Sequence, residues 1–88
     1  MNNNEIRAFL RPADGRKSFY CKAVLIQRGG GLYCESYNTP VASYIDGVFR
    51  RSWGGYSATT MRHVNAFRAA CGLPSIGKKE WEKMPVEV

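Results

Sequence analysis

The residues best suited to chemistry lie in one segment, Trp53–His63, where two glycines are followed by hydroxyl side chains and cations. Ser57 occupies the position of a helix N-cap, with Tyr56 before it and Met61 four residues after it as a hydrophobic staple. A helix start carries unpaired backbone N–H groups, and their partial positive charge attracts anions. The segment therefore predicts an anion-binding helix N-terminus formed by Gly55, Ser57, Thr59 and Thr60.

The same residues also have a purely structural interpretation. Ser57 can simply cap the helix, the glycines can form the turn, and Thr60 falls on the helix stripe that we expect to face the core. The spacing is not that of a Walker motif, because no lysine follows a second glycine at the required distance. A capping residue can also bind an anion, so the two interpretations overlap.

His63 is the single histidine of the chain and lies one turn after Thr59. We expect either a half-buried imidazole bonded to Thr59 or to a backbone carbonyl, or a contact with phosphate or a partner. General-base catalysis needs an orienting acid and a nucleophile within reach. No acidic residue occurs between positions 47 and 79. The sequence therefore predicts a protein that is not an enzyme, with no catalytic residue and no cofactor.

The balance of charge favours a polyanionic partner. The chain has 13 Lys and Arg residues against 7 Asp and Glu residues, a net charge of +6. Nucleic acid and the acidic surface of another protein are the two candidates, a solubilising surface being the alternative. Cations alternate with aromatic rings near residue 53, an arrangement that suits stacking on single-stranded nucleic acid. The predicted partner-binding residues are Arg50, Arg51, Trp53, Tyr56, Arg62, His63, Arg68, Lys78 and Lys79.

One constraint limits this surface. Arg50 and Arg51 are neighbours, and a regular strand points neighbouring side chains to opposite faces. At most one of them can therefore serve a given surface. The alternative is that these are ordinary strand residues whose rings pack across the sheet while the arginines reach into solvent.

Cysteine spacing and hydropathy exclude several other classes. Cys21, Cys34 and Cys71 are too far apart in sequence for a metal knuckle, so we expect buried thiols and no metal site. No apolar run approaches the length of a membrane span. The first residues lack the basic and apolar regions of a signal peptide, so the expected location is the cytoplasm.

A small sheet and two helices must position the candidate residues. A nearly continuous apolar run at 23–26, alternation at 32–37 and 41–45, and a hairpin signal at Asp46-Gly47 predict an antiparallel meander of about four strands over 18–53. A main helix is expected over 57–71, and a short one over 77–84. The predicted fold is α+β, with the helices packed on one face of the meander in a single domain, 1–88. Residues 1–5 are expected to be frayed, and Ile6–Leu10 to form a short strand or an extended arm.

The main helix has two distinct sides. Thr60, Val64, Phe67 and Cys71 form a stripe that we expect to lie on the sheet. We expect the opposite side to pack against the final helix, with Trp81 as its anchor; the alternative is a surface for a partner. That side carries Ala58, Arg62, Asn65, Ala66 and Ala69.

Four segments together resemble a known group of proteins. They are GRKSFYCKA at 15–23, SYNTPV at 36–41, WGGYSATTMRHV at 53–64 and KKEW at 78–81. The group consists of small uncharacterised proteins from gut bacteria, their mobile elements and their phages. The resemblance implies a bacterial or phage protein of the cytoplasm and a role in phage–host conflict. The group has no established activity, so the resemblance assigns no catalytic residues.

These observations lead to three alternative functions. The first is a small non-enzymatic binding protein whose basic surface engages nucleic acid through phosphate contacts. The second is a protein–protein inhibitor of a host defence complex, such as an anti-CRISPR-like or other anti-defence factor. The third is a protein that binds a small phosphate ligand. An exposed edge strand of the meander could also pair with a second copy to give a homodimer.

Overall fold

The structure is a computed structural model that describes residues 5–11 and 22–87. Cys21 and the predicted start of the meander at 18–21 lie outside the described residues. Of the five residues expected to be frayed, only Glu5 is described. Its carboxylate contacts the guanidinium groups of Arg7 at 2.9 Å and Arg28 at 3.5 Å.

Five strands form one antiparallel sheet in sequence order. The strands are β1 (Ile6–Phe9), β2 (Ala23–Arg28), β3 (Gly31–Ser36), β4 (Thr39–Ile45) and β5 (Val48–Arg51). Two helices follow, α1 (Ala58–Ala70) and α2 (Lys78–Lys83). The predicted α+β class, a meander followed by a main and a short helix, is confirmed. Residues 23–51 form the four-strand meander, and β1 adds a fifth strand at its edge.

Two-residue turns join the strands from β2 to β5. Both central residues of each turn have positive φ angles: Gly29 and Gly30, Tyr37 and Asn38, Asp46 and Gly47. Such turns match the right-handed twist of the strands that they connect. The Asp46-Gly47 turn lies where the sequence placed it. The second turn is centred on Tyr37-Asn38.

The core lies between the sheet and the two helices. Its buried apolar residues are Cys34, Val41, Ala42, Met61, Val64, Phe67 and Trp81. The register of β3 and β4 shifts between Cys34 and Glu35. Two consecutive residues of β4, Val41 and Ala42, are therefore both buried. Local irregularity of this kind lets a short strand contribute more than alternate residues to one core.

The chain after α2 returns to the sheet. Val86 forms a parallel bridge to Arg51, and the N–H of Glu87 donates to the Arg51 carbonyl at 2.7 Å. This contact covers part of the outer edge of β5.

Candidate functional site

The start of α1 has the predicted capping geometry. Ser57 has an extended backbone, and its Oγ accepts the N–H of Thr60 at 3.0 Å. The hydroxyl of Thr60 points inward and lies 3.3 Å from Ser36 Oγ. The Gly55 carbonyl accepts from Trp81 Nε1 at 2.9 Å. Of the four predicted anion-binding residues, three thus make contacts within the chain, and Thr59 has an exposed side chain.

His63 belongs to a buried polar cluster that the sequence did not predict. Only 1% of His63 is exposed, and its Nδ1 lies 2.7 Å from Ser36 Oγ, with Thr60 on the other side of that hydroxyl. The ring of Tyr37 lies 5.6 Å from the imidazole, centroid to centroid. The sequence predicts a half-buried His63, whereas the ring is fully buried and its Nδ1 contacts a serine 27 residues away.

Burial lowers the pKa of His63, and the nearby Arg62 lowers it further. The imidazole is therefore neutral near pH 7. Ser36 and His63 have the residue types of a nucleophile and its base, but Ser36 is 3% exposed. A solute reaches this hydroxyl only if the surrounding chain opens, so the pair fits a structural clamp between β3 and α1. A partner contact by the His63 ring does not fit its burial.

Arg51 is a buried cation that donates hydrogen bonds to four backbone carbonyls. It is 6% exposed. Its Nε donates to the Trp53 carbonyl at 2.8 Å, and Nη1 donates to the carbonyls of Trp81 at 2.9 Å and Met84 at 3.1 Å. Nη2 donates to the Gly55 carbonyl at 3.4 Å. The predicted role of Arg51 in binding a partner does not fit this placement.

Arg68 is the second internal cation. Its Nε donates to the Pro74 carbonyl at 2.7 Å, and its guanidinium lies 4.5 Å from the centroid of the Phe49 ring. The residue is buried. Its guanidinium therefore holds the connection after α1 against the sheet and is withdrawn from the predicted binding surface. The sequence pattern gave no sign that the charge of Arg68 would be buried.

Arg50 lies on the other face of the sheet. It pairs across β4 with Ser43, whereas its neighbour Arg51 pairs with the core residue Ala42. Its Nε is 3.4 Å from a carboxylate oxygen of Glu87. The expected separation of Arg50 and Arg51 onto opposite faces is thus observed, and Arg50 is separated from the cations of the helices.

Tyr56 and Lys78 meet where the turn after β5 approaches α2. Tyr56 is 40% exposed, and Lys78 Nζ lies 5.0 Å from the centroid of its ring. Asn65 donates to the Ile76 carbonyl and accepts its N–H, each at 2.9 Å. These bonds hold the segment before α2 on the side of α1 that also carries the exposed Arg62, one turn earlier. We call Tyr56, Arg62, Lys78 and Lys79 the Tyr56 surface.

Trp53 packs between the core and the turn that carries Tyr56. Its side chain is half-buried and packs against the core cluster. A Cβ atom built on Gly55 would lie 2.4 Å from Trp53 Cζ2, so only glycine leaves room for the indole at this position. The turn that presents Tyr56 is therefore fixed by a close contact between the Gly55 backbone and the Trp53 ring.

The acidic groups nearest in sequence to this surface lie in α2. Glu80 Oε1 accepts the N–H of Gly77 at 3.0 Å and thereby caps the start of the helix. Glu82 is exposed, as are Lys79 and Lys83. The three cations of the Tyr56 surface outnumber the two acids of α2, which favours an anionic partner.

The described part of the chain contains neither a metal site nor a membrane-spanning helix. Within residues 5–11 and 22–87, no group of three or more His, Cys, Asp or Glu side chains could hold a metal ion. Among those residues, no helix has the length and apolar character needed to cross a bilayer.

Comparison with known proteins gives one match. The profile of a family of unknown function (DUF8033) matches residues 10–83. Searches of curated proteins and of solved structures found no match. The matched range spans all the strands from β2 to β5 and both helices, and includes every residue of the Tyr56 surface. The chain belongs to this family of unknown function.

Proposed function

We propose that this protein is a small non-enzymatic binding protein that engages nucleic acid at the Tyr56 surface. The main support for this proposal is the exposed Tyr56 ring, which has the Lys78 ammonium 5.0 Å from its centroid. An exposed ring accepts a stacked base, and cations around it contact the flanking phosphates. Lys79 follows Lys78 in α2, and Arg62 lies on the side of α1 that binds the segment before α2 through Asn65.

The chemistry of the Tyr56 surface favours recognition of the nucleic-acid backbone over recognition of a particular base sequence. α1 carries few exposed side chains that could read base edges, and its long side chains Met61, His63 and Phe67 are buried. Phosphate contacts contribute affinity without specifying sequence. Because a single strand exposes the faces of its bases, we expect single strands to bind more tightly than duplex.

The number of available cations sets the expected salt dependence. Arg51 and Arg68 are buried, whereas Lys78 and Lys79 are exposed and can meet phosphates at this surface. For two contacts on a single strand, the slope of log K against log salt is about −1.4. This is a shallow dependence, in keeping with a small interface.

Binding to a labelled oligonucleotide tests the proposal. Fluorescence anisotropy is measured with a single strand and a duplex at two salt concentrations, for the native chain, Lys78→Glu and Tyr56→Ala. Arg28→Glu is the matched control. Like Lys78, Arg28 is exposed and lies against a tyrosine ring, that of Tyr33, but it is at the end of β2 and outside the Tyr56 surface. We expect both surface variants to weaken binding at least tenfold and the control to change it little. Equal losses in Lys78→Glu and Arg28→Glu would show only a general charge effect and would overturn the proposed surface.

A protein partner with an acidic surface is the second candidate. The same exposed Tyr56 ring, packed over a rigid turn, has the character of an aromatic anchor at a protein interface. In this form the protein would inhibit a host defence complex in the cytoplasm of a bacterium, the setting that the sequence resemblance implies. No oligonucleotide binding at low salt, together with capture of a protein that Tyr56→Ala abolishes, would favour this candidate.

A further inference from the structure

The outer edge of β1 is unpaired by any described residue. β1 has one neighbour, β2, whereas the opposite edge of the sheet is partly covered by Val86 and Glu87. Two of the most exposed large apolar side chains lie on this same strand, Ile6 at 58% and Phe9 at 62%. An exposed edge with apolar side chains is a template for pairing with another strand.

The register of β1 determines which backbone groups face outward. The N–H of Leu10 donates to the Ala23 carbonyl at 2.8 Å, and Leu10 lies one residue beyond the Phe9–Val24 pair. In an antiparallel ladder, alternate residues direct both backbone groups to the same neighbour. Ile6, Ala8 and Leu10 therefore direct theirs to β2. Arg7 and Phe9 direct theirs to the open edge.

We propose that two copies of this chain pair antiparallel through β1, with Ala8 of one copy opposite Ala8 of the other. In this register, Arg7 of each copy exchanges two backbone hydrogen bonds with Phe9 of the other. The dimer gains four bonds, and the two sheets become one of ten strands. The interface lies at the edge of the sheet opposite β5, so the Tyr56 surface stays uncovered in both copies.

Side-chain chemistry selects this register over its neighbour. If the two copies are related by a two-fold axis perpendicular to the sheet, their helices lie on the same face of the joined sheet. Even-numbered residues must then pair with even-numbered residues, and odd with odd. Centring on Arg7 would place two guanidinium groups directly opposite each other, and centring on Phe9 would place Arg7 opposite Arg11; both like-charge pairs are unfavourable. Centring on Ala8 instead places Ile6 opposite Leu10 on the helix-bearing face, and the Arg7 stem opposite the Phe9 ring on the other. Shifting by one residue would turn every side chain to the wrong face.

Sedimentation tests the association. We expect the native chain to show a dimer that dissociates on dilution, and Phe9→Lys to be a monomer at the same concentrations. Val48→Lys is the matched control, because Val48 is also an exposed apolar residue of an edge strand but lies in β5. A native chain that stays monomeric at hundreds of micromolar would overturn the proposal, as would loss of the dimer in Val48→Lys alone. Circular dichroism of each variant shows whether it is folded.

Cysteine cross-linking tests the register. Residues opposite each other without backbone bonds lie with Cα atoms about 4.5 Å apart, within the range for a disulfide. In a background with Cys21→Ser and Cys71→Ser, Ala8→Cys should form a covalent dimer under mild oxidation. Ile6→Cys should not, because it would face Leu10 of the other copy. Cross-linking of Ile6→Cys in preference to Ala8→Cys would overturn the register. Neither result depends on nucleic-acid binding, so the dimer and the proposed function fail separately.

Discussion

The guanidinium of Arg51 lies over the indole of Trp81, with its Cζ 4.7 Å from the ring centroid. The same group donates hydrogen bonds to carbonyls of the turn after β5 and of α2. A short helix of six residues has little stability of its own. The contact therefore joins α2 to the sheet and fixes the turn that presents Tyr56.

Replacing Arg51 should destabilise the fold strongly. Arg51→Met preserves much of the side-chain volume but leaves buried carbonyls without donors, so we expect the free energy of unfolding to fall by about 2–4 kcal/mol. Arg50→Met is the matched control on the adjacent residue, and its expected effect is within about 0.5 kcal/mol because its ion pair is exposed. Urea unfolding followed by tryptophan fluorescence measures both. Similar losses in the two variants would contradict the assigned role.

The two glycines of the turn should differ in their tolerance of a methyl group. A Cβ on Gly55 would lie 2.4 Å from Trp53 Cζ2, whereas a Cβ on Gly54 would meet its nearest neighbour, Val86 Cγ2, at 3.5 Å. The first contact forces the indole or the turn to move, and the second is ordinary packing.

We therefore expect Gly55→Ala to lower the free energy of unfolding by about 1–3 kcal/mol. Gly54→Ala should change it by less than about 1 kcal/mol, in either direction. Thermal melts compare the two, and a displaced Tyr56 should also weaken any binding at its surface. The proposal for this turn would be wrong if Gly54→Ala were the more damaging substitution.

The sequence predicted what depends on local spacing. The Asp46-Gly47 turn, the Ser57 cap and the stripe of α1 that faces the sheet each rest on residues within a few positions of one another. The α+β class followed from these signals. β1 was harder to predict because four residues fit a short strand and an extended arm equally well.

The buried cations could not be predicted in the same way. Arg51 finds its acceptors at Trp81 and Met84, 30 and 33 residues further along the chain. Ser36 and His63 are 27 residues apart. Charge and hydropathy patterns treat an arginine as exposed, and only the folded chain shows which carbonyls converge on it. This is why a surface predicted from nine residues contracts to the smaller group around Tyr56.

The buried His63 should make stability depend on pH. Its pKa is lowered in the folded protein, first by burial and then by Arg62, from the ordinary value of 6.5. The unfolded chain therefore binds the proton more readily. The resulting stabilisation is present above pH 6.5 and is lost as the pH falls toward the folded-state pKa.

We expect the free energy of unfolding to fall between pH 7.5 and 5.5, where carboxylates titrate little. His63→Gln removes the titrating ring and should flatten this dependence, although the variant is less stable at pH 7.5. Urea unfolding at several pH values measures the slope. An equally steep slope in His63→Gln would assign the pH dependence to another group.

The two described thiols should differ sharply in reactivity. Burial raises the pKa of Cys34 to about 12, with further contributions from Cys71 and Glu35. The pKa of Cys71 is also raised by burial, but this residue is half-exposed at the end of α1, and Arg68 lowers its pKa. Because the thiolate is the nucleophile, only about one in ten thousand thiols of pKa 12 is in the reactive form at pH 8.

In a Cys21→Ser background, iodoacetamide should modify Cys71 at least a hundredfold faster than Cys34, as measured by peptide mass spectrometry. Urea should bring the two rates together because unfolding exposes both thiols. Equal rates in the folded protein would mean that the core around Cys34 opens as readily as the end of α1.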